Sequence, residues 1–264
     1  GSFVVTNDHI VAEVAEVRVV MIDGTELPAR VVGRDPRLDV ALLAIDAPRL
    51  PALRLGDSDG VEVGEWVVVL GNPFGDEVTA AAGIVSATGR EAAGSLVPGP
   101  AMGFRTFLQV DARIHRGNSG GPVLSTAGEV LGLAVATGDR TGELSFAVPS
   151  ARLREIIEPL KTYGSVRRAW LGVLARPVTR ELATQLGMAA VAGAVVTEVK
   201  LGSPAAKAGL RPGDVIQAWD GKAVDHKTLP WIAANAPAGR AAALTVWRDR
   251  VAVMIDLVPE PMPE

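Results

Sequence analysis

Three residue types able to carry out nucleophilic hydrolysis occur in this chain in the order imidazole, carboxylate, hydroxyl. They are His9 in Thr6-Asn7-Asp8-His9, Asp39 between Leu38 and Val40, and Ser119 in Gly117-Asn118-Ser119-Gly120-Gly121-Pro122. A serine hydroxyl at its ordinary pKa attacks poorly, so it needs a base within hydrogen-bond reach and a third group that fixes the tautomer of that base. His9 stands where the strand-like run Phe3 to Thr6 gives way to Ile10 and Val11, so its ring would be presented from the end of an ordered element. Asp39 leads into an apolar run, and a carboxylate at the mouth of a buried strand is costly unless a donor such as an imidazole N–H meets it. Asp8 is nearer to His9 in sequence, but adjacent side chains diverge, which makes it the weaker candidate for holding the ring. His115, four residues from Ser119, is a rival base without an acid in a comparable setting. Gly117 would let the backbone turn so that the N–H groups of Gly117 and Ser119 converge on an oxyanion, with Asn118 as a third donor or a shaper of the loop. Taken singly, each residue has a plainer reading: a tight turn for the glycine-rich hexapeptide, a packing residue for His9, a strand cap for Asp39.

The elements that must position these groups are short and β-rich. Runs at Val17 to Ile22, Ala29 to Gly33, Val40 to Ile45, Trp66 to Gly71, Phe107 to Val110 and Val130 to Ala136 are separated by Gly, Pro and Asp, the pattern of an all-β barrel or sandwich. Asp23-Gly24 between two such runs predicts a hairpin turn. Ser150 is expected to cap a helix with Leu153, Ile156, Ile157 and Leu160 on one face and Gly164 as its stop. Arg167-Arg168 follow in a short connector, so the domains are placed at 1–164 and 170–260, with 165–169 as linker. The second region is smaller and mixed α and β. Ser203 to Gly209 reads as a short capped helix, Asp214 to Trp219 as a strand, and Thr228 as the cap of a helix through Asn235. Two strands are expected around Arg248-Asp249-Arg250, with the terminal Pro-Glu-Pro-Met-Pro-Glu frayed.

Composition excludes several classes of function. With 264 residues, 48% hydrophobic, 21% charged and a formal charge of -4, the chain is globular and lacks the basic footprint of a nucleic-acid binder. It has no cysteine for disulfides or thiolate metal sites, and its three scattered histidines have no ligand spacing, so no metal or other cofactor is expected. A lipase-like esterase is disfavoured because the order is not Ser, acid, His and no Gly-x-Ser-x-Gly surrounds Ser119. No apolar run approaches the length of a bilayer span, and no signal peptide opens the chain.

Beyond the three residues, the chain resembles the HtrA-type (DegP-like) serine proteases over nearly its whole length. On the protease side the similarity rests on Val5 to Ile10, Asp35 to Leu43, Leu55-Gly56-Asp57-Ser58, Gly71-Asn72-Pro73-Phe74-Gly75, Gly83 to Ser86, Gly117 to Pro122 and Phe146 to Ser150. On the other side it rests on Trp170-Leu171-Gly172-Val173 and Gly202 to Ile216. The resemblance implies a mainly β fold, a two-barrel trypsin-like domain followed by a small α+β PDZ domain. By that similarity His9 is the general base, Asp39 the orienting acid and Ser119 the nucleophile, and Gly117, Asn118 and Ser119 form the oxyanion hole. Ile114, Ala134, Val135 and Ala136 would line the first substrate pocket. The position six residues before the serine is Arg113 and not a carboxylate, which favours small or medium aliphatic side chains over basic ones. Trp170, Leu171, Gly172 and Val173 would receive the carboxylate of a peptide added to the sheet edge. The resemblance further implies unfolded-protein substrates, a location in the cell envelope, and a homotrimer. His9 comes early compared with family members, so either a fragment of a longer chain or a shortened first barrel is expected. The competing reading is a non-cleaving, peptide-binding or chaperone-like scaffold.

Overall fold

The structure is a computed structural model that describes all residues except 1, 49, 74, 76, 92–105, 115–116, 136–144 and 264. It divides into two compact units, Gly1–Val166 and Arg167–Glu264.

The first unit opens with β1 (Ser2–Thr6), a four-residue helix α1 (Asp8–Val11), β2 (Val17–Val20), β3 (Glu26–Asp35) and β4 (Val40–Ile45). These strands form an open antiparallel sheet in the order β1-β4-β3-β2. Strand β4 is central because it is apolar throughout, and Val11, Ala41 and Leu43 form the buried centre of this half. The expected hairpin is present: Gly24 is left-handed, Asp23 accepts a hydrogen bond from the Thr25 N–H, and β2 pairs with β3 on either side.

Six further strands, β5 (Trp66–Gly71), β6 (Thr79–Glu91), β7 (Thr106–Val110), β8 (Pro122–Ser125), β9 (Val130–Val135) and β10 (Ser145–Pro149), close into a barrel in the order β10-β7-β6-β5-β8-β9. Valines 67, 69, 85, 110 and 123 fill its interior with Leu108 and Leu131, and Phe107 meets Phe146 edge to face at 6.1 Å between centroids. Closure leaves no strand edge inside the barrel unpaired. Strand β6 escaped the sequence reading because alanine and glycine interrupt the few β-branched residues that signal a strand. Gly83 shows why small residues are needed, since an added Cβ would lie 2.4 Å from the Ala112 nitrogen.

Helix α2 (Ser150–Tyr163) follows directly and buries Leu153, Ile156 and Leu160. Gly164 ends it in the left-handed conformation, its N–H donating to the Leu160 carbonyl. Ser150 is not the cap: it is the first helical residue, and its hydroxyl donates to the Gly56 carbonyl at 2.6 Å.

In the second unit, β11 (Ala169–Trp170), β12 (Val173–Pro177), α3 (Arg180–Gln185), β13 (Ala194–Val199), α4 (Pro204–Lys207), β14 (Val215–Trp219), β15 (Lys222–Ala223), α5 (Thr228–Asn235), β16 (Ala242–Arg248), β17 (Val251–Leu257) and β18 (Glu260–Pro261) follow. The sheet runs β12-β13-β14-β16-β17. Leu171, Val196, Ile216, Leu229, Leu244 and Leu257 share its core. Ser203 caps α4, accepting from the Ala206 N–H. Thr228 does not cap α5; its hydroxyl engages Asp225 instead. Asp249 and Arg250 both take positive φ, the backbone of a tight hairpin turn. Residues 260–262 of the tail are paired and not frayed, because Glu260 and Pro261 pair with Trp170 and Ala169 and the Met262 N–H donates to the Arg168 carbonyl; Glu264 lies outside the described residues. An ion pair between half-buried Arg248 and buried Asp214, at 2.7 Å, ties β16 to the turn before β14.

Candidate active site

His9 lies on α1, a single turn too short to persist by itself. What holds it is Asp39. Both ends of the Asp39 carboxylate face His9: Oδ2 is 2.7 Å from Nδ1, and Oδ1 is 2.9 Å from Nδ1 and also accepts the His9 main-chain N–H at 2.9 Å. Asp39 is 2% exposed, whereas a third of the His9 side chain is open to solvent. Because a carboxylate only accepts, Nδ1 of the neutral ring carries the proton and Nε2 keeps its lone pair. The hydrogen bond that His9 donates to Asp39 raises the His9 pKa above 6.5, against the opposing effect of burial, and the charges of Asp39 and Asp8 add to the rise.

Asp39 reaches this position through an unusual backbone. Its φ is 59°, left-handed for a residue with a Cβ, a conformation aspartate and asparagine tolerate better than other residues. Asn7, fully buried, supports it by donating from Nδ2 to the Asp39 carbonyl at 2.9 Å. The Asn7 Oδ1 has no partner among the described residues. Composition and spacing gave no hint of this role for Asn7; the usable signal was a polar residue directly after the strand-like run Val4-Val5-Thr6.

The Ser119 turn is fixed from three sides. The Gly120 N–H donates to the Ala134 carbonyl at 3.0 Å, the Ala134 N–H to the Gly121 carbonyl at 2.8 Å, and the Gly121 N–H to the Asn118 carbonyl at 3.0 Å. Gly71 at the end of β5 lies under the Asn118 side chain, where an added Cβ would be 2.3 Å from Oδ1. Gly117 has φ 95° and lies against Pro73. Gly120, the neighbour of Ser119, faces the His9 segment, since an added Cβ would sit 2.5 Å from the Thr6 Oγ1 and 3.4 Å from the Ile10 Cδ1. The serine turn of the barrel therefore abuts the two residues that bracket the α1 imidazole.

Ile114, Ala134 and Val135 are buried, with Ile114 and Ala134 among the apolar residues of the barrel interior. The Ile114 N–H is accepted by the Ser145 hydroxyl at 3.0 Å. Ala136 and the rival base His115 lie outside the described residues. In the second unit, Gly172 has φ 80° and its carbonyl accepts the Lys200 N–H at 2.8 Å, while the Leu171 carbonyl accepts the Ala205 N–H at 2.9 Å. The Lys200 ammonium lies 5.3 Å from the centre of the Trp170 ring. Val173 starts β12, an outer strand of the sheet.

A closed antiparallel barrel beside a sheet that pairs histidine with a buried aspartate, followed by a separate small α+β unit, defines a trypsin-like peptidase domain joined to a PDZ domain. The family model of the trypsin-like peptidase domain matches residues 1–133, and that of the PDZ domain matches residues 169–257. A "Probable periplasmic serine endoprotease DegP-like" of Brucella suis biovar 1 (strain 1330) is 43% identical over 99% of this chain and 51% of its own length. One of the same description from Rhizobium meliloti (strain 1021) is 40% identical over 97% of this chain and 50% of its own. The chain thus spans about half the length of the curated relatives it matches. The solved structure "HtrA-type protease AlgW with tripeptide" superposes with a TM-score of 0.86 at 36% identity, covering 99% of this chain and 86% of that one. The chain belongs to the HtrA-type, DegP-like serine proteases.

Proposed function

We propose that the chain is a serine endopeptidase that cleaves unfolded or damaged proteins through Ser119, His9 and Asp39. The observation that carries this reading is the His9 Nδ1 held at 2.7 Å by a buried Asp39 carboxylate, which leaves Nε2 as the proton acceptor. As the Ser119 hydroxyl attacks the substrate carbonyl, its proton passes to His9 Nε2, and Asp39 stabilises the imidazolium without taking the proton. The backbone N–H groups of Gly117 and Ser119 receive the oxyanion, with Asn118 shaping the loop. His9 then returns the proton to the leaving amine, and water repeats the sequence on the acyl-enzyme.

Ile114, Ala134, Val135 and Ala136 would restrict the first pocket to small or medium aliphatic side chains. The PDZ domain would receive peptide C-termini at Trp170, Leu171, Gly172 and Val173, the peptide adding as a strand beside β12. AlgW was solved with a tripeptide, and the relatives are named periplasmic; peptide ligands and a periplasmic location are proposed here on that support. The test is casein cleavage and fluorophosphonate labelling of the chain and of Ser119→Ala. Turnover should fall by about six orders of magnitude in the variant, and labelling should vanish. Equal labelling of both proteins, or none of either with peptide binding intact, would show that Ser119 is not an activated nucleophile.

A further inference from the structure

An ion pair beside His9 has no part in the scheme above. Asp8 directly precedes the histidine, and its side chain is only 9% exposed. Its carboxylate does not serve the imidazole. It receives the Arg34 Nε at 2.5 Å on Oδ1 and the Arg34 Nη2 at 3.2 Å on Oδ2, a two-point contact that fixes the plane of the guanidinium as well as its distance. Arg34 is itself well anchored. Its N–H donates to the Gly164 carbonyl at 3.0 Å, and it forms a β-bridge with Ser165. The preceding Gly33 lies so close to α2 that an added Cβ would be 2.4 Å from the Leu160 carbonyl oxygen. Helix α1 has four residues and no capping side-chain bond, so these outside ties determine where the imidazole points.

We propose that Asp8 and Arg34 are positioning residues for His9: the pair fastens the α1 turn to β3, and the guanidinium offsets part of the charge that Asp8 alone would present to the imidazole. The inference rests on the serine-peptidase reading. Among the described residues, the charged groups around His9 can be assigned element by element. The α1 turn contributes Asp8, and the turn before β4 contributes Asp39. Strand β3 contributes Arg34 and Asp35, and the Asp35 Oδ1 accepts the Arg37 N–H at 3.2 Å and the Leu38 N–H at 3.4 Å. Strand β4 carries no ionisable residue, nor does the Gly117 to Gly120 turn. The negative charge of Asp8 favours protonated His9; the guanidinium that covers it opposes this.

Two substitutions must therefore move the His9 titration in opposite directions. Arg34→Met leaves a carboxylate uncompensated and shifts it upward; Asp8→Asn leaves a guanidinium uncompensated and shifts it downward. Each shift should be about half a pH unit for partly exposed, screened charges. The double variant should return to within about 0.2 pH unit of the parent, because the two effects share one origin. The experiment is an NMR titration of the imidazole signals in the full chain, in a Ser119→Ala background that prevents self-cleavage, with His9 assigned by the signal lost in His9→Gln. Opposite shifts with recovery in the double variant are expected. Shifts of the same sign, or an unmoved titration in the isosteric Asp8→Asn, would overturn the inference even if Arg34→Met fails to fold. Fluorophosphonate labelling of the Ser119 chain is read separately: an unlabelled parent counts against the peptidase reading, whereas the titration reports on the ion pair alone.

Discussion

Replacing Asp39 with Asn preserves shape and removes only the charge and one acceptor, which makes the consequence for His9 calculable from the hydrogen bonds. The Asp39 Oδ1 accepts the main-chain N–H of His9 at 2.9 Å, a donor that cannot change its character, while Oδ2 faces Nδ1 at 2.7 Å. An asparagine amide placed toward the main chain would oppose two donors, so its oxygen must stay there and its NH2 must face the ring. The imidazole can accept that N–H only by moving its own proton to Nε2, and an Nε2 that carries a proton cannot take one from Ser119. Burial of residue 39 at 2% exposure leaves no room for solvent to repair the mismatch, and asparagine tolerates the left-handed backbone there. The fold should therefore survive while the base is locked in the wrong tautomer. A loss of about 10⁴-fold in kcat/KM is expected, or about 5 kcal/mol of barrier at 1.36 kcal/mol per tenfold. Peptide hydrolysis and the rate of fluorophosphonate labelling measure it, with urea unfolding to show retained stability. Activity of Asp39→Asn within about tenfold of the parent would refute the tautomer argument.

Other outcomes follow from single contacts. Asn7→Ala removes the buried donor to the Asp39 carbonyl and should lower the unfolding free energy by about 1–2 kcal/mol, read from denaturant midpoints; an unchanged midpoint would mean that the turn holds Asp39 without it. Since the Asp39 hydrogen bond raises the His9 pKa and only neutral His9 accepts a proton, kcat/KM should climb with pH through a limb above 6.5. By the same linkage, any stability from the pair is complete below the unfolded value and fades as pH rises through the folded one; a limb below 6.5 would contradict both statements. Gly172→Val would place a Cβ 2.2 Å from the Ser203 Cβ at a backbone with φ 80°. Peptide affinity measured by calorimetry should drop by at least about tenfold, and an unchanged affinity would remove this loop from the binding site.

Much of the architecture was legible because its signals are local. Alternating apolar runs and Asp23-Gly24 marked the hairpin of the first sheet, and the i, i+3, i+4, i+7 pattern with Gly164 marked α2, since backbone hydrogen bonds of turns and helices join residues a few positions apart. Ser150 and Thr228 show the limit of such signals. Each carries a capping hydroxyl in a capping context, yet Ser150 bonds to Gly56, ninety-four positions away, and Thr228 to Asp225. Strand β6 and the paired tail were missed for a related reason: alanine, glycine and proline announce no strand, and neighbouring strands supplied the missing preference.

His9, Asp39 and Ser119 stood out in the chain because nucleophilic hydrolysis admits few residue types and glycine-rich surroundings betray a constrained loop, and the structure brings the first two of them together. Three-dimensional packing alone decided which atoms support them. Asn7 holds the carbonyl of Asp39 across thirty-two positions, Asp8 turns from its neighbour to Arg34 across twenty-six, and Gly120 brings the serine turn against Thr6 and Ile10. A side chain's partner is whatever polar group the closed core leaves within about 3 Å, and that depends on how sheets and barrel meet, which no stretch of sequence encodes by itself.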